Sequence, residues 1–132
     1  MIAGHMDDEK GNYFKSRFRS FSNAFIGLFF TLKSQVNFKI QLTAGALAII
    51  LGVILKISLI EWCLIIFSVG LVLGMEVLNT SVEILCDKIE EEYNESIKKV
   101  KDTAAAAVLI FSISALIIGG IIFIPKILAR FI

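Results

Sequence analysis

The stretch "GLVLGMEVLNTSVEILCDKIEEEYNE", Gly70–Glu95, combines two kinds of sequence that rarely occur together. It opens with Gly, Leu, Val and Met, which suit the hydrocarbon interior of a membrane. Four polar residues then follow at helical spacing, and together we call them the polar stripe: Glu76, Asn79, Glu83 and Asp87. At 100° per residue, Glu83 and Asp87 return to within about 20° of Glu76, so the stripe covers one helix face over about 16 Å.

The composition of the whole chain indicates a membrane protein. Of its 132 residues, 57% are hydrophobic, and the mean hydropathy is +0.83, whereas soluble domains are usually about half apolar. Three apolar blocks are long enough to cross a hydrocarbon layer of about 30 Å. The sequence therefore predicts transmembrane helices at 38–57, 61–85 and 103–125. Trp62 suits an interfacial anchor, Asp102 an N-cap of the third helix, and Pro125 the end of that helix.

The segment before these blocks has a different pattern. Between residues 13 and 34, apolar residues recur at steps of three and four, among them Phe14, Phe18, Phe21, Phe25 and Phe29. Basic residues lie mostly on the other face, which is typical of a helix in the plane of a membrane surface. We expect an all-α membrane protein in which residues 1–132 form a single membrane domain, with 1–12 flexible and 13–34 a surface helix.

The distribution of basic residues predicts the orientation in the membrane. Ten of the thirteen Lys and Arg residues precede or begin the first predicted span, or lie in the loop 86–102. Under the positive-inside rule, the N-terminus and this loop are cytoplasmic. The formal net charge of +1 offers no basic excess for nucleic acid. The cysteines Cys63 and Cys86 lie about 35 Å apart along one predicted helix, which excludes a disulfide between them.

Carboxylates inside a membrane helix require an explanation, because a charge near the bilayer centre costs a few kcal/mol or more. Interhelical hydrogen bonds and snorkelling would account for Asn79 and Asp87. They account poorly for Glu76 and Glu83, since Lys39 is the only nearby cation of the predicted spans. A channel would need a polar path through the whole bilayer, and the outer half of the second span offers only Ser68 and two glycines. The stripe therefore favours a site that opens to the cytoplasm.

The residue types suit phosphoryl transfer. Mg²⁺ is commonly held by one or two carboxylates, with water and phosphate oxygens in its other positions. A separate carboxylate can accept a proton from an attacking hydroxyl. Three lysines of the following loop are placed to meet phosphates: Lys98, Lys99 and Lys101. Neither a G-x-x-x-x-G-K-[ST] motif nor the glycine loop of protein kinases occurs in the sequence.

The segment "EVLNTSVEILCDKI" resembles the E-x-x-N-[ST]-x-x-E-x-x-x-D signature of the prokaryotic diacylglycerol kinase family, which includes the undecaprenol kinases. The resemblance continues through "AFIGL", "NFKI", "KVKDTAAAAVLI" and "IIFIPK". It implies a small homotrimeric kinase of the bacterial inner membrane that uses Mg²⁺ and ATP to phosphorylate a lipid alcohol. "IEW" and "FIPK" are more similar to the undecaprenol kinase branch, although diacylglycerol stays open as the substrate.

The resemblance also implies roles for individual residues. Glu76 matches the general base that takes the proton of the lipid hydroxyl, and Glu83 matches a carboxylate ligand of Mg²⁺ bound to ATP. The remaining matches are to residues of the nucleotide site: Asn79, Asp87, Glu92, Tyr93, Asn94, Lys101 and Asp102. For Asp102, the role of N-cap is an equally good explanation.

One position departs from the family pattern. Where the family has a second metal-binding Glu, two residues before the Asn of "VNF", this chain has Gln35. A carboxamide oxygen can bind Mg²⁺, but it contributes no charge. Two hypotheses follow: a working kinase whose metal is held by Glu83, Gln35, water and ATP, or a weakened or inactive relative.

Overall fold

The computed structural model describes residues 3–90 and 92–131, and the side chains of 15–90 and 92–130. Every regular element in these ranges is a helix: α1 (Ala3–Ser34), α2 (Val36–Ile54), α3 (Leu59–Ile89) and α4 (Glu95–Phe131). The chain divides into two compact units, one containing α1 and the other, from Gln35 onward, containing α2 to α4. The latter three helices are long and apolar enough to cross a membrane. The predicted all-α membrane fold is confirmed.

Helix α1 is amphipathic as the sequence predicts, but it begins earlier. It starts at Ala3, ten residues before the predicted surface helix, so residues 3–12 belong to the same helix. Phe18, Phe21 and Phe25 are exposed along it, and the ammonium of Lys33 lies 4.8 Å from the ring centre of Phe29. An exposed row of aromatic rings is the surface that an interfacial helix presents to lipid.

The expected N-cap at Asp102 and the expected helix end at Pro125 are both wrong. Helix α4 begins at Glu95, and Asp102 lies two turns inside it. The cap is Asn94, whose Oδ1 accepts hydrogen bonds from the backbone N–H groups of Ser96 (2.9 Å) and Ile97 (3.3 Å). Hydropathy marks the part of a helix that suits lipid and does not detect its polar extension into water.

The helix also continues through Pro125 to Phe131. Proline removes one backbone donor, and in water it commonly ends a helix. In a membrane, unpaired backbone groups have no water to bind, so the helix is the favoured backbone even around a proline.

Helix α3 lies at the centre of the second unit and packs against both α2 and α4, most extensively against α4. A cluster of buried apolar side chains fills the end of the bundle where α3 begins: Ile57, Ile65, Ile122 and Phe123, with Trp62 and Val69 packed against them. These apolar contacts lie at one end of the bundle, and the polar stripe lies along the opposite half of α3.

Two glycines allow α2 to approach α3 closely. A Cβ atom on Gly45 would lie 2.8 Å from Val69 Cγ1, and one on Gly52 would lie 2.8 Å from Trp62 Cη2. Both distances are shorter than van der Waals contact, so only glycine fits without displacement of the neighbour. Small residues at a helix interface are the usual means of close packing in membranes.

The turn between α2 and α3 has a defined backbone structure. Lys56 adopts a left-handed conformation with φ of 50°. Its N–H donates to the carbonyl of Val53 (3.3 Å), and the N–H of Ile57 donates to the carbonyl of Gly52 (3.1 Å). These two bonds form a Schellman motif, in which glycine is the usual left-handed residue.

Helix α3 starts immediately afterwards with a capping box. The hydroxyl of Ser58 accepts from the N–H of Glu61, and the Glu61 carboxylate accepts from the N–H of Ser58 at 2.6 Å. The same carboxylate forms an ion pair with Lys126 of α4 (3.2 Å), while Arg130 donates to the carbonyl of Ile54 at 3.2 Å. Polar contacts thus connect all three helices at this end.

Replacement of Gly52 by alanine tests the close approach of α2 to α3. Because the added methyl group would overlap Trp62 and Ile57, we expect the variant to lose about 1–3 kcal/mol of stability. The measurement is the thermal unfolding midpoint in detergent. Gly120→Ala is the matched control, since its nearest neighbour, Ile124 Cδ1, lies at an ordinary 3.7 Å; an equal effect of both changes would contradict the packing described.

Candidate functional site

The polar stripe runs from the interior of the bundle to its surface. Glu76 is only 2% exposed, and Asn79 is also buried. Glu83, two turns further on, is half-buried, and Asp87 is exposed. The predicted common face is therefore present, and its members differ steeply in their access to water.

Glu76 is held by a residue of another helix. The side-chain amide of Gln41, in α2, donates from Nε2 to Glu76 Oε2 at 2.9 Å. The buried hydroxyl of Thr80 donates to the backbone carbonyl of Glu76 (2.9 Å) rather than to its carboxylate. A contact between side chains of different helices thus fixes the orientation of the buried carboxylate.

Two side-chain amides donate hydrogen bonds to the Glu83 carboxylate. Asn79 donates from Nδ2 to Glu83 Oε1 at 2.9 Å, along the same helix. Gln35, which immediately precedes α2, donates from Nε2 to Glu83 Oε2 at 3.4 Å. The structure therefore brings together Gln35 and Glu83, which the sequence analysis assigns to a metal, and Asn79, which it assigns to the nucleotide site.

Asp87 connects α3 to α4 at the exposed end of the stripe. Its Oδ1 forms an ion pair with the ammonium of Lys101 at 2.9 Å. Asp102 pairs instead with Lys98 at 3.0 Å, one turn earlier on α4. Lys101 and Asp102, neighbours in sequence, are thus each paired with a different residue.

The segment before α4 lies beside this exposed end in the chain. Glu92, Tyr93 and Asn94 are all exposed, and Tyr93 has 82% of its surface accessible. The Asn94 side chain already caps α4. Asn94 therefore has a structural role as a helix cap, in addition to the nucleotide contact that the family resemblance implies for it.

The oxygen atoms around Glu83 are of the type that binds a hard cation. In the described parts of the chain, no three His, Cys, Asp or Glu side chains group together as metal ligands. Oxygen donors are nevertheless available: the Glu83 carboxylate, the Gln35 amide and the Oδ1 of Asn79, which is buried and has no hydrogen-bond partner. Mg²⁺ and Ca²⁺ take such oxygen ligands, so the residues fit a divalent ion with a single protein charge.

Gln41 is the site residue that the sequence pattern does not identify. Its signal is present, however, because Gln41 lies on the buried face of α2 that also carries Phe38, Gly45 and Gly52, at steps of three, four and seven residues. A polar side chain in a row of packing residues indicates a hydrogen bond to the neighbouring helix. Hydropathy alone does not identify it, because one amide barely changes the mean hydropathy of an otherwise apolar helix.

The two expected functions of Asn94 can be separated by substitution. Asn94→Ala removes the cap of α4, and we expect a loss of about 1 kcal/mol of stability. Asn94→Ser keeps an oxygen that can cap the helix, so stability should return. Thermal unfolding in detergent measures the cap, and a higher KM for ATP in the stable Ser variant would reveal an additional nucleotide contact; equal stability of the Ala variant and the parent would refute the capping role.

Comparison with known proteins identifies the family. The family model "Prokaryotic diacylglycerol kinase" matches residues 22–123. The undecaprenol kinase of Bacillus subtilis (strain 168) is 36% identical over 109 residues, covering 83% of this chain and 89% of the relative. The diacylglycerol kinase of Synechocystis sp. is 33% identical over 83% of this chain and 63% of its own length. The diacylglycerol kinase of Escherichia coli (strain K12) is 37% identical over 64% of this chain and 69% of its own length. The chain therefore belongs to the prokaryotic diacylglycerol kinase family and is a membrane lipid kinase.

Proposed function

We propose that this protein transfers the γ-phosphoryl group of ATP to the hydroxyl of undecaprenol or diacylglycerol at the cytoplasmic membrane surface. The observation that carries the proposal is the polar stripe, which places one carboxylate deep in the bundle and another near water. The two, Glu76 and Glu83, lie about 10 Å apart along the axis of α3. A lipid hydroxyl and a nucleotide must meet across just such a boundary.

Glu76 is the general base in this proposal. Its side chain is buried and Gln41 orients it, so it stands where a lipid hydroxyl can arrive without entering water. The hydroxyl oxygen attacks the γ-phosphorus while its proton passes to the Glu76 carboxylate. The bond from phosphorus to the bridging oxygen of ADP breaks, and ADP leaves with that electron pair.

Glu83, Gln35 and Asn79 would hold Mg²⁺ together with the phosphates of ATP. The ion, when bound, offsets negative charge on the β- and γ-phosphate oxygens. In the structure both oxygens of Glu83 accept from amide N–H groups. Those amides must turn their oxygens towards an incoming cation, and Asn79 Oδ1, already buried without a partner, is suited to that change.

The nucleotide would lie against the exposed end of the stripe. Asp87, Lys101 and the segment 92–94 bound this region, and Lys98 and Lys99 lie close by in the chain. Lys98 and Lys99 form exposed ion pairs with Asp102 and Glu95. Exposed pairs contribute little to stability, so these ammonium groups can exchange a carboxylate for a phosphate.

Undecaprenol is the lipid substrate that the comparisons and the sequence favour. The relative named undecaprenol kinase is similar over 83% of this chain, and "IEW" and "FIPK" also favour undecaprenol. The exposed phenylalanines of α1 would hold an acyl or prenyl chain in the inner leaflet. The same proposal places the N-terminus in the cytoplasm of a bacterial cell, the helices in its inner membrane, and three copies in each enzyme.

A weakened enzyme is the second candidate, and one contact favours it. Gln35 presents its N–H group, not its oxygen, to Glu83. An amide in this orientation repels a cation, and its rotation costs the hydrogen bond. The divalent ion would then bind only at high concentration or together with ATP.

The decisive experiment is phosphate transfer from labelled ATP to lipid by the purified protein in mixed micelles. Undecaprenol and diacylglycerol are assayed separately across a Mg²⁺ titration. Product with one lipid would identify the substrate. If the folded protein forms no product with either lipid at any Mg²⁺ concentration, transfer to these alcohols is refuted. The hypothesis of an inactive relative would then remain.

Glu76→Gln tests the base. The amide keeps the shape of the side chain but cannot accept the hydroxyl proton, so we expect turnover to fall by at least a thousandfold, about 4 kcal/mol in activation free energy. ATP affinity, measured by nucleotide binding to the same preparation, should stay within about twofold. Ser81→Ala is the control, because Ser81 is exposed on the same helix and its hydroxyl bonds only to the Val77 carbonyl. Substantial turnover by Glu76→Gln would sink the assignment.

Gln35→Glu tests the metal ligands. A second carboxylate beside Glu83 should lower the Mg²⁺ concentration for half-maximal activity by about tenfold, since each added charged ligand strengthens a hard-cation site. Gln35→Leu, which removes the donor oxygen, should raise that concentration. If neither variant alters the Mg²⁺ titration, Gln35 does not contact the ion.

A further inference from the structure

Gln41 makes the one described side-chain hydrogen bond to the Glu76 carboxylate. It is half-buried in the second turn of α2, and it reaches across to α3 with Nε2 2.9 Å from Glu76 Oε2. A hydrogen bond to a charged oxygen in a medium of low dielectric constant is strong and directional. The contact therefore determines where the carboxylate points.

The backbone around Gln41 keeps this distance fixed. Gly45, one turn further along α2, lies so close to Val69 of α3 that an added Cβ would approach Val69 Cγ1 to 2.8 Å. Val69 is β-branched, and such side chains have one strongly preferred rotamer in a helix. Glycine at position 45 thus allows the close approach of α2 to α3 that brings the Gln41 amide within reach of Glu76.

The second polar atom of the same amide, Gln41 Oε1, is buried, and within the described part of the chain no donor forms a hydrogen bond with it. A buried acceptor of this kind costs free energy and calls for an explanation. One follows from the chemistry of an amide, which carries a donor and an acceptor at equivalent positions related by a half-turn of the terminal group.

We propose that Gln41 is the positioning residue for Glu76 in both protonation states of the carboxyl group, an inference that rests on the proposed role of Glu76 as base. Before transfer, Nε2–H donates to the carboxylate. When Glu76 takes the proton of the lipid hydroxyl, its new O–H group donates to Oε1 after the amide turns over. The proton then leaves to water, and the amide returns.

A neutral amide suits this task better than a charged partner. A Lys or Arg beside Glu76 would stabilise the carboxylate and oppose uptake of the proton, whereas a second carboxylate would repel it. An apolar residue would leave a buried charge without a hydrogen bond. Gln41 can form a hydrogen bond with the ionised form and, through its other polar atom, with the protonated form.

Gln41→Met tests the proposal by removal of both polar atoms at nearly constant shape. We expect kcat to fall by about tenfold to a hundredfold, as for loss of a hydrogen bond to a charged group, with the KM for ATP within about twofold of the parent. Thr43→Val is the matched control: Thr43 lies on the same helix, is exposed, and bonds only to the Lys39 carbonyl. Its kcat should be unchanged.

Two further readouts separate positioning from a general structural effect. The infrared band of the Glu76 carboxyl group, identified by its loss in Glu76→Gln, should shift in Gln41→Met and stay in place in Thr43→Val. In Glu76→Asp, whose shorter side chain is out of reach of the amide, adding Gln41→Met should lower kcat by much less than it does in the parent.

The outcomes distinguish this inference from the proposed function. If the parent protein transfers phosphate and Gln41→Met matches it in kcat and in the infrared band, Gln41 does not position Glu76. If the band shifts while kcat is unchanged, the hydrogen bond exists without a part in turnover, and the inference is overturned as well. If the parent itself transfers no phosphate to either lipid, the kinase proposal fails and takes the role of Gln41 with it.

Discussion

Burial of the Glu76 carboxylate among lipid-embedded helices is the constraint on which the rest of the structure depends. Burying an ionised group away from water costs several kcal/mol unless a polar partner accompanies it. The partner is the Gln41 amide, which belongs to another helix. The hydrogen bond therefore needs α2 and α3 in close contact, and the glycines at positions 45 and 52 make that contact sterically possible.

The two ends of the bundle are built for different purposes. Where α3 begins, a capping box, the Glu61–Lys126 ion pair and the Arg130 contact join three helices around an apolar cluster. Towards the other end, α3 carries side chains of increasing exposure, and Asp87 and Lys101 form a bridge accessible to water. The polar contacts where α3 begins connect the three helices, and the exposed end at Asp87 is the part of the stripe that a ligand can reach from water.

Periodicity in the sequence was sufficient to predict the helical fold and the common face of Glu76, Asn79, Glu83 and Asp87, because both depend only on the helical repeat and on hydropathy. Contacts between helices depend on register, which one sequence does not contain. The Gln41–Glu76 bond and the pairing of Lys101 with Asp87 are of this kind. The ends of α4 were misjudged for another reason: Asp102 and Pro125 obey rules for helices in water, whereas α4 extends as a helix through both the aqueous and the lipid-facing segments.

The amides beside the two carboxylates give the proposed site an unusual electrostatic character. Glu76 and Glu83 are each bound by neutral N–H donors, from Gln41 in one case and from Gln35 and Asn79 in the other. Such donors stabilise a carboxylate without a cation. They also occupy the lone pairs that the ion would use, which makes binding of a free ion less favourable. An ion that arrives bound to ATP brings phosphate oxygens as additional ligands and needs fewer from the protein. Gln35, at the position where the family resemblance implies a carboxylate, therefore suits the proposed kinase best if its metal arrives together with the nucleotide.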